Sequence, residues 1–291
     1  INQGENMLRL ITITAAMLLV FAYGANAANI TPYGTFNYKL SHDENSSGVA
    51  YDKLENNGSK IGIDIIEPSI EGSSLNGIAK LEVGLDVDDS GSDTFDSRLA
   101  YAGLENNGIA ITVGRQSHEW VSQTGNFEVY GSNAVFKYGD RSSNMIKLDN
   151  GSFSAGAVID GSSGQDGIDM WEASLSHSMN GIDIAVGYAD DVVNDISYWG
   201  AGASTTIGDL TIASTYTMKD AATDLEGMEA TIGWKAITVG YGDKEGTGTY
   251  MTYGLSHSMT DSLSVYAELQ QDDLDTGTDL QHYSVGTKFT F

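Results

Sequence analysis

The chain has 291 residues, with 40 Asp and Glu against 14 Lys and Arg and a formal charge of −26. That balance repels polyanions, excludes a nucleic-acid grip and makes cations the favoured partners. There is no cysteine, which removes disulfide scaffolds, thiolate metal sites and Cys nucleophiles, and 35 Gly with only two Pro and no long apolar run beyond the amino-terminal stretch leave an all-β chain, soluble or barrel.

Residues 1–6 precede the first Met and carry no readable signal. From Met7 the chain runs through Arg9, an apolar stretch from Leu10 to Ala22, and Ala25-Asn26-Ala27. A positive charge, an apolar core and an Ala-x-Ala site form the pattern of a cleavable secretory signal peptide. The predicted division is therefore 1–27 upstream residues and leader, 28–291 mature chain. Read instead as an uncleaved anchor, the same stretch falls short of the ~20 apolar residues a span needs.

The mature chain breaks into roughly sixteen alternating segments, each about ten residues long and separated by Gly-, Asn-, Asp- and Ser-rich links. In chain order they cover 30–41, 59–66, 77–87, 97–104, 108–116, 141–148, 152–159, 169–177, 181–189, 197–207, 209–218, 227–234, 235–241, 249–257, 262–271 and 281–291. The last shows the logic most plainly: Tyr283, Val285, Phe289 and Phe291 fall on one face, His282, Ser284, Lys288 and Thr290 on the other. A strand apolar on one side and polar on the other separates lipid from water. Lipid offers backbone amides no partner, so such strands must close into a barrel, and an even count lets the first and last pair antiparallel. The predicted fold is an all-β transmembrane antiparallel β-barrel of about 16 strands. Tyr38, Trp171, Tyr188, Trp199, Tyr216, Trp234, Tyr241 and Tyr253 would supply the aromatic girdles; in a soluble β-sandwich they would be core.

Two kinds of link alternate. Tight ones such as Glu105-Asn-Asn-Gly108, Asp149-Asn-Gly-Ser152, Ser178-Met-Asn-Gly181 and Met259-Thr-Asp-Ser262 suit hairpin turns on the periplasmic side. Longer acidic ones, at 43–55, 88–96, 190–195 and 272–279, read as outer loops. Leu-Ser-His-Ser-Met occurs twice, at 175–179 and 255–259, each time entering a short turn.

Arg98-Leu-Ala-Tyr-Ala-Gly-Leu104, an Asn-Gly turn, and Ile109-Ala-Ile-Thr-Val-Gly-Arg-Gln116 together resemble the general diffusion porins of Gram-negative outer membranes. Tyr33-Gly-Thr35, Arg141-Ser-Ser-Asn-Met-Ile146 and the terminal Phe291 fit the same pattern in order. The resemblance implies a sixteen-stranded, trimeric outer-membrane barrel with a third outer loop folded inward as a constriction. That loop would be 117–140. Within it, Asn126-Phe-Glu-Val-Tyr-Gly131 is similar to the acidic-aromatic-Gly piece of the porin constriction, which makes Glu128 the first acidic rim residue and Glu119 the second; either also reads as an ordinary solvated loop carboxylate.

The facing wall in such porins is basic. Alternation places Lys60 opposite Ile61, Ile63 and Ile65, Lys80 opposite Leu81, Val83 and Leu85, Arg98 opposite Leu99 and Tyr101, and Arg141 with Lys147 opposite Ile146 and Leu148. A charge on the lipid face costs a few kcal/mol near mid-membrane, so these five point inward, as pore wall or as merely tolerated lumen charges.

The five histidines show no metal-ligand spacing. His118 beside Glu119, or His42 beside Asp43, would be the base of a hydrolytic site, but there is no Gly-x-Ser-x-Gly and no nucleophile evident nearby. The acidic run from Asp88 to Asp93 lacks the distal Glu of a regular calcium loop; bridging to lipopolysaccharide is an easier use for such carboxylates. No cofactor, metal or catalytic residue is expected. The sequence predicts a Gram-negative outer-membrane porin in contact with lipid and lipopolysaccharide, and the resemblance implies a homotrimer. It would pass ions and small hydrophilic solutes passively with a mild cation preference. The alternative is a non-conducting or ligand-specific barrel, an adhesin or receptor acting through its acidic outer loops.

Overall fold

The computed structural model describes residues 28–44, 47–68, 74–86, 94–118, 134–161 and 167–291. They form one antiparallel sheet of seventeen segments, each paired with its neighbours along the chain except β2 and β3, which both pair with β1. The segments are β1 (Asn29–Glu44), β2 (Ala50–Asn56), β3 (Lys60–Glu67), β4 (Leu75–Leu85), β5 (Phe95–Asn106), β6 (Ile109–Ser117), β7 (Arg141–Asp149), β8 (Phe153–Val158) and β9 (Met170–Met179). They continue as β10 (Ile182–Asp191), β11 (Ile196–Ile207), β12 (Leu210–Asp220), β13 (Leu225–Trp234), β14 (Ile237–Lys244), β15 (Gly248–Ser258), β16 (Leu263–Leu274) and β17 (Asp279–Thr290). The predicted fold class holds: the sheet is a closed antiparallel barrel of 16 strands.

Seventeen segments make 16 strands because β2 and β3 are two halves of one. Both pair with the same edge of β1, β2 with Tyr38 to Glu44 and β3 with Asn29 to Thr35. Between them Asn57, Gly58 and Ser59 oppose Phe36 and Asn37, one residue too many, and the excess is absorbed as a bulge. Gly58 takes φ +83 there, and the Ser59 hydroxyl accepts from the Asn37 amide at 2.9 Å. The predicted loop at 43–55 is accordingly a correction: β1 runs on to Glu44 and β2 begins at Ala50.

Closure comes from β1 against β17, in register from Thr35↔Thr290 to Asp43↔His282. Gly34 and Phe291 add two backbone bonds of 3.0 and 3.1 Å. The tight turns use the positive φ that primed hairpins need, with Asn107 at +52 beside Gly108 at +82, and Asn180 at +54 beside Gly181 at +78.

Alternation sets the two faces. On β10, Ile182, Ile184 and Val186 are about half exposed, whereas Ala185 and Ala189 are buried. Trp171, Trp199, Trp234 and Tyr253 point outward with the aliphatic residues. Inside, three tyrosines lie across glycines of the adjacent strand: Tyr33 over Gly62, Tyr250 over Gly242 and Tyr266 over Gly286. A Cβ at any of these glycines would strike the ring, so the pairs shape a flat, polar-tipped inner surface.

Candidate functional site

Of the segment between β6 and β7, the described residues are His118 and Ala134 to Asp140. Its root is clamped where the His118 amide donates to the Asp140 carbonyl at 3.2 Å. His118 itself is buried, with Nδ1 2.9 Å from Glu172 Oε2 and Nε2 3.0 Å from the Ser142 hydroxyl. The Tyr138 ring meets its face edge-on at 5.2 Å between centroids. The residues that follow the undescribed part, Ala134 to Phe136, lie against the wall formed by β12 to β15. There the Ala134 amide donates to Glu229 Oε1 at 2.6 Å and the Phe136 amide to Thr217 Oγ1 at 2.9 Å. Tyr250 donates its hydroxyl to the same Glu229 oxygen. Lys244 sits over the Phe136 ring at 4.9 Å. Gly227 allows the approach, because a Cβ there would lie 1.8 Å from the Ala134 carbonyl oxygen.

From this anchor the chain returns along the inner wall. Phe136 and Tyr138 pack on a small apolar patch of Met145, Val158, Met170, Ala189 and Tyr198, of which Met145 and Met170 are completely buried. Apolar side chains on the inner face of a barrel make sense only under such a cover. Lys137 bonds Asp140 at 2.8 Å. This contact holds the Asp140 carboxyl below its ordinary pKa, while burial, followed by the nearby Asp191, raises that of Tyr138. The described part of the segment, Ala134 to Asp140, thus runs from the wall of β12 to β15 back to the start of β7, fixed at Ala134 and Phe136 on one side and at the His118–Asp140 contact on the other.

A second cluster lies on β3 to β5. Glu82, only 3% exposed, receives Arg98 Nε at 2.6 Å, Lys60 Nζ at 3.3 Å and the Tyr33 hydroxyl at 3.0 Å. Lys80 pairs with Asp64 at 3.0 Å and lies over the Tyr33 ring at 4.8 Å. Arg98 reaches Glu82 through an irregularity. Between Glu82 and Val83 the register shifts so that Leu99 opposes Glu82 and Ser97 opposes Val83, with Arg98 between them. The expected simple alternation is corrected accordingly: Tyr101 is the register partner of Lys80 and shares its face, and Leu99 shares that of Glu82. Lys147 pairs with Thr112 in register and reaches the Ser117 carbonyl at 3.5 Å. Arg141 is the register partner of Ser117, beside Asp140 and within electrostatic range of Arg98 and Glu82.

A third set lines β16, β17, β1 and β2. His282 bridges Asp43 and Asp272 at 3.1 Å each. Lys53 bonds Asp43 at 3.1 Å and Glu55 at 2.7 Å, and Lys39 bonds Glu55 at 3.1 Å. Glu268 accepts from Ser284 at 3.1 Å.

Of the residues picked out from sequence, the structure brings Lys60 and Arg98 together on one carboxylate and places Lys80 beside them. Glu119, Glu128 and the leader 1–27 lie outside the described residues. Sequence reasoning missed Glu82, Glu172, Glu229, Thr217 and Gly227. Alternation offered a signal for Glu82, two residues beyond Lys80, and for Glu229, two beyond Gly227; nothing local marks Glu172 and Glu229 as partners of a segment on other strands.

A family model described as Gram-negative porin matches residues 14–290, nearly the whole chain. The chain belongs to the Gram-negative porin family. A comparison with curated protein sequences gives no match. Among solved structures, the porin is similar to a loop L8 deletion mutant of OmpT, an outer membrane protein of Vibrio cholerae, at 18% identity and TM-score 0.74, over 91% of this chain and 100% of that one. It is similar to the anion-selective porin from Comamonas acidovorans at 16% identity and TM-score 0.72, over 91% and 100% of the two chains. Salmonella typhi OmpF, in a complex with daunomycin, shares 14% identity at TM-score 0.70, over 90% and 97%. At these identities the likeness is one of fold. With the family it places the porin in the Gram-negative outer membrane, as a channel-forming barrel.

Proposed function

We propose that this porin forms a water-filled passage through which ions and small hydrophilic solutes diffuse passively, with a mild preference for cations. The observation that carries the reading is the inner surface itself. It is a closed, polar-lined wall on whose inner side Ala134 and Phe136, from the link between β6 and β7, are pinned to Glu229 and Thr217. A ligand-specific receptor has no need of such an inward-pinned link, whereas a sieve does. Cation preference is supported by the −26 charge and by the inward carboxylates Asp43 and Asp272, which flank the single His282. Glu119 and Glu128 are proposed as the acidic rim of a constriction. Lys60, Lys80, Arg98, Arg141 and Lys147 are proposed as the basic part of the pore wall.

We infer a homotrimer, in line with the trimer form named for Vibrio cholerae OmpT. We also infer that the porin has no catalytic role. Ser142, His118 and Glu172 stand in series like a nucleophile, base and orienting acid, but the imidazole is buried and capped by Tyr138, with both nitrogens engaged. This closed set serves as a clamp for the loop root. The deciding experiment is a reversal-potential measurement in a planar bilayer under a KCl gradient. Cation preference is expected; anion preference would overturn the selectivity, and absence of conductance the channel reading.

A further inference from the structure

The inner carboxylates differ in what neutralises them. Glu82 is answered by Lys60 and Arg98, Asp64 by Lys80, Glu55 by Lys39 and Lys53, and Asp43 by Lys53. Glu268, midway along β16, has no basic side chain bonded to it: its carboxylate accepts from the Ser284 hydroxyl at 3.1 Å. We propose that Glu268 is a specificity-determining residue of the passage, a carboxylate whose negative charge stays available to passing ions and favours small hydrated cations over anions. The proposal rests on the channel reading above and assigns its cation preference to one side chain of the wall.

Register fixes where this carboxylate points. Ala267 and Leu269 pair with Val285 and Tyr283, the outward and half-exposed residues of β17, so Glu268 between them faces the lumen beside its register partner Ser284. On its other side the partner is Gly254 of β15, which has no side chain to lay over it. Beyond Ser284 the same level continues through Ser41 on β1 to Lys53 on β2. Ser41 turns its hydroxyl to Asp43 and Glu55, and the Lys53 ammonium lies between those two carboxylates.

Each basic group on this wall is either spent elsewhere or distant. Lys39 is within electrostatic range of Glu268, but its ammonium is bonded to Glu55 at 3.1 Å. Lys53 stands three strand spacings away, about 14 Å. Lys288 alternates onto the same inner face of β17 four residues beyond Ser284, about 13 Å along the strand and more than a Debye length at 0.1 M salt. His282 turns its two ring nitrogens to Asp43 and Asp272, and Asp272 also accepts from Gln270 at 2.7 Å. The Ser284 hydroxyl orients the Glu268 carboxylate without cancelling its charge. A cation passing this level is attracted by a fixed charge among neutral hydroxyls, and an anion is repelled by the same charge.

Glu268→Gln separates charge from structure, because the amide oxygen still accepts from Ser284 while the charge is gone. In a planar bilayer under a KCl gradient at about 0.1 M salt, the substitution should lower the potassium-to-chloride permeability ratio about threefold, the size expected of one charge lying close to the ion path in water. Glu268→Asp keeps the charge and should keep most of the parental ratio. Asp261→Asn removes an equal charge from the turn seven residues away, about 23 Å along the chain and two Debye lengths off, and should leave the ratio unchanged. A Glu268→Gln porin with the parental ratio would overturn the proposal, as would a Glu268→Asp porin that loses the preference equally or an equal drop in Asp261→Asn. The parental porin keeps the two readings apart. If it carries no current, or prefers anions, the channel or selectivity reading fails and takes the proposal with it; if it prefers cations and Glu268→Gln prefers them equally, only the assignment to Glu268 fails.

Discussion

Gly227→Ala is the smallest change that should open the passage. The added Cβ would stand 1.8 Å from the Ala134 carbonyl oxygen, a backbone atom that cannot swing aside as a side chain would. The segment must retreat by more than about 1 Å to reach van der Waals separation. Retreat breaks two bonds at once, Ala134 amide to Glu229 at 2.6 Å and Phe136 amide to Thr217 at 2.9 Å. A hydrogen bond to a charged acceptor contributes about 1.5–3 kcal/mol and a neutral one about 0.5–1.5, so the docked state loses roughly 2–4 kcal/mol relative to the released one. That is between ten- and a thousandfold in its population, at about 1.4 kcal/mol per decade. The wall itself should not suffer, because the ladder on both sides of Gly227 is backbone pairing to Thr217 and Lys244. The expected result is a larger, noisier single-channel current with an unchanged thermal unfolding midpoint. Gly233→Ala on the same strand and face meets nothing closer than 3.7 Å and is the silent control. A Gly227→Ala channel with parental conductance and noise would refute the anchoring argument.

Three further outcomes follow from the same geometry. Glu82→Gln leaves Lys60 and Arg98 without their shared counter-charge and should lower the cation-to-anion permeability ratio on the order of twofold, read from reversal potentials. The Lys137–Asp140 contact depresses the carboxyl pKa, so its contribution is complete above the ordinary Asp value and is lost as pH falls through the depressed one. Current noise should therefore stay flat from neutral pH down to about 4 and rise only below, whereas Asp140→Asn should be noisy at neutral pH. A serine-reactive fluorophosphonate should leave Ser142 unlabelled, since its histidine neighbour is enclosed beneath Tyr138; a mass-mapped adduct at Ser142 would show instead that the Ser142–His118–Glu172 series can act as a nucleophilic site.

The strands were legible because alternation is a local signal. Val285 and Ser284 declare opposite faces within two residues, and the same rule recovers nearly every segment. It failed where the backbone adds a residue. Near Arg98 the register shift reverses the alternation, so Tyr101 shares the face of Lys80 although counting assigns it to the other. At Asn57 to Ser59 the bulge concealed β2, whose Lys53 and Glu55 resemble loop residues but face Asp43 and Lys39 across the sheet. Bulges change parity without changing composition, and composition is what a sequence scan detects.

The inner anchor was hidden for a different reason. Phe136 is bonded to a residue 81 positions further along the chain and Ala134 to one 95 positions further along. No periodicity links such distant residues; they meet only because closure of the wall brings β12 and β13 across from the root at His118. It follows that the segment cannot dock until those later strands are in place, since its acceptors do not yet exist as a surface. The apolar inner patch around Met145 and Met170, formed by β7 to β11, would then stand exposed to water during assembly until Phe136 and Tyr138 settle on it. Docking of the segment is therefore coupled to formation of the β12–β13 wall, and the two hydrogen bonds that hold Ala134 and Phe136 there also keep Phe136 over the apolar patch.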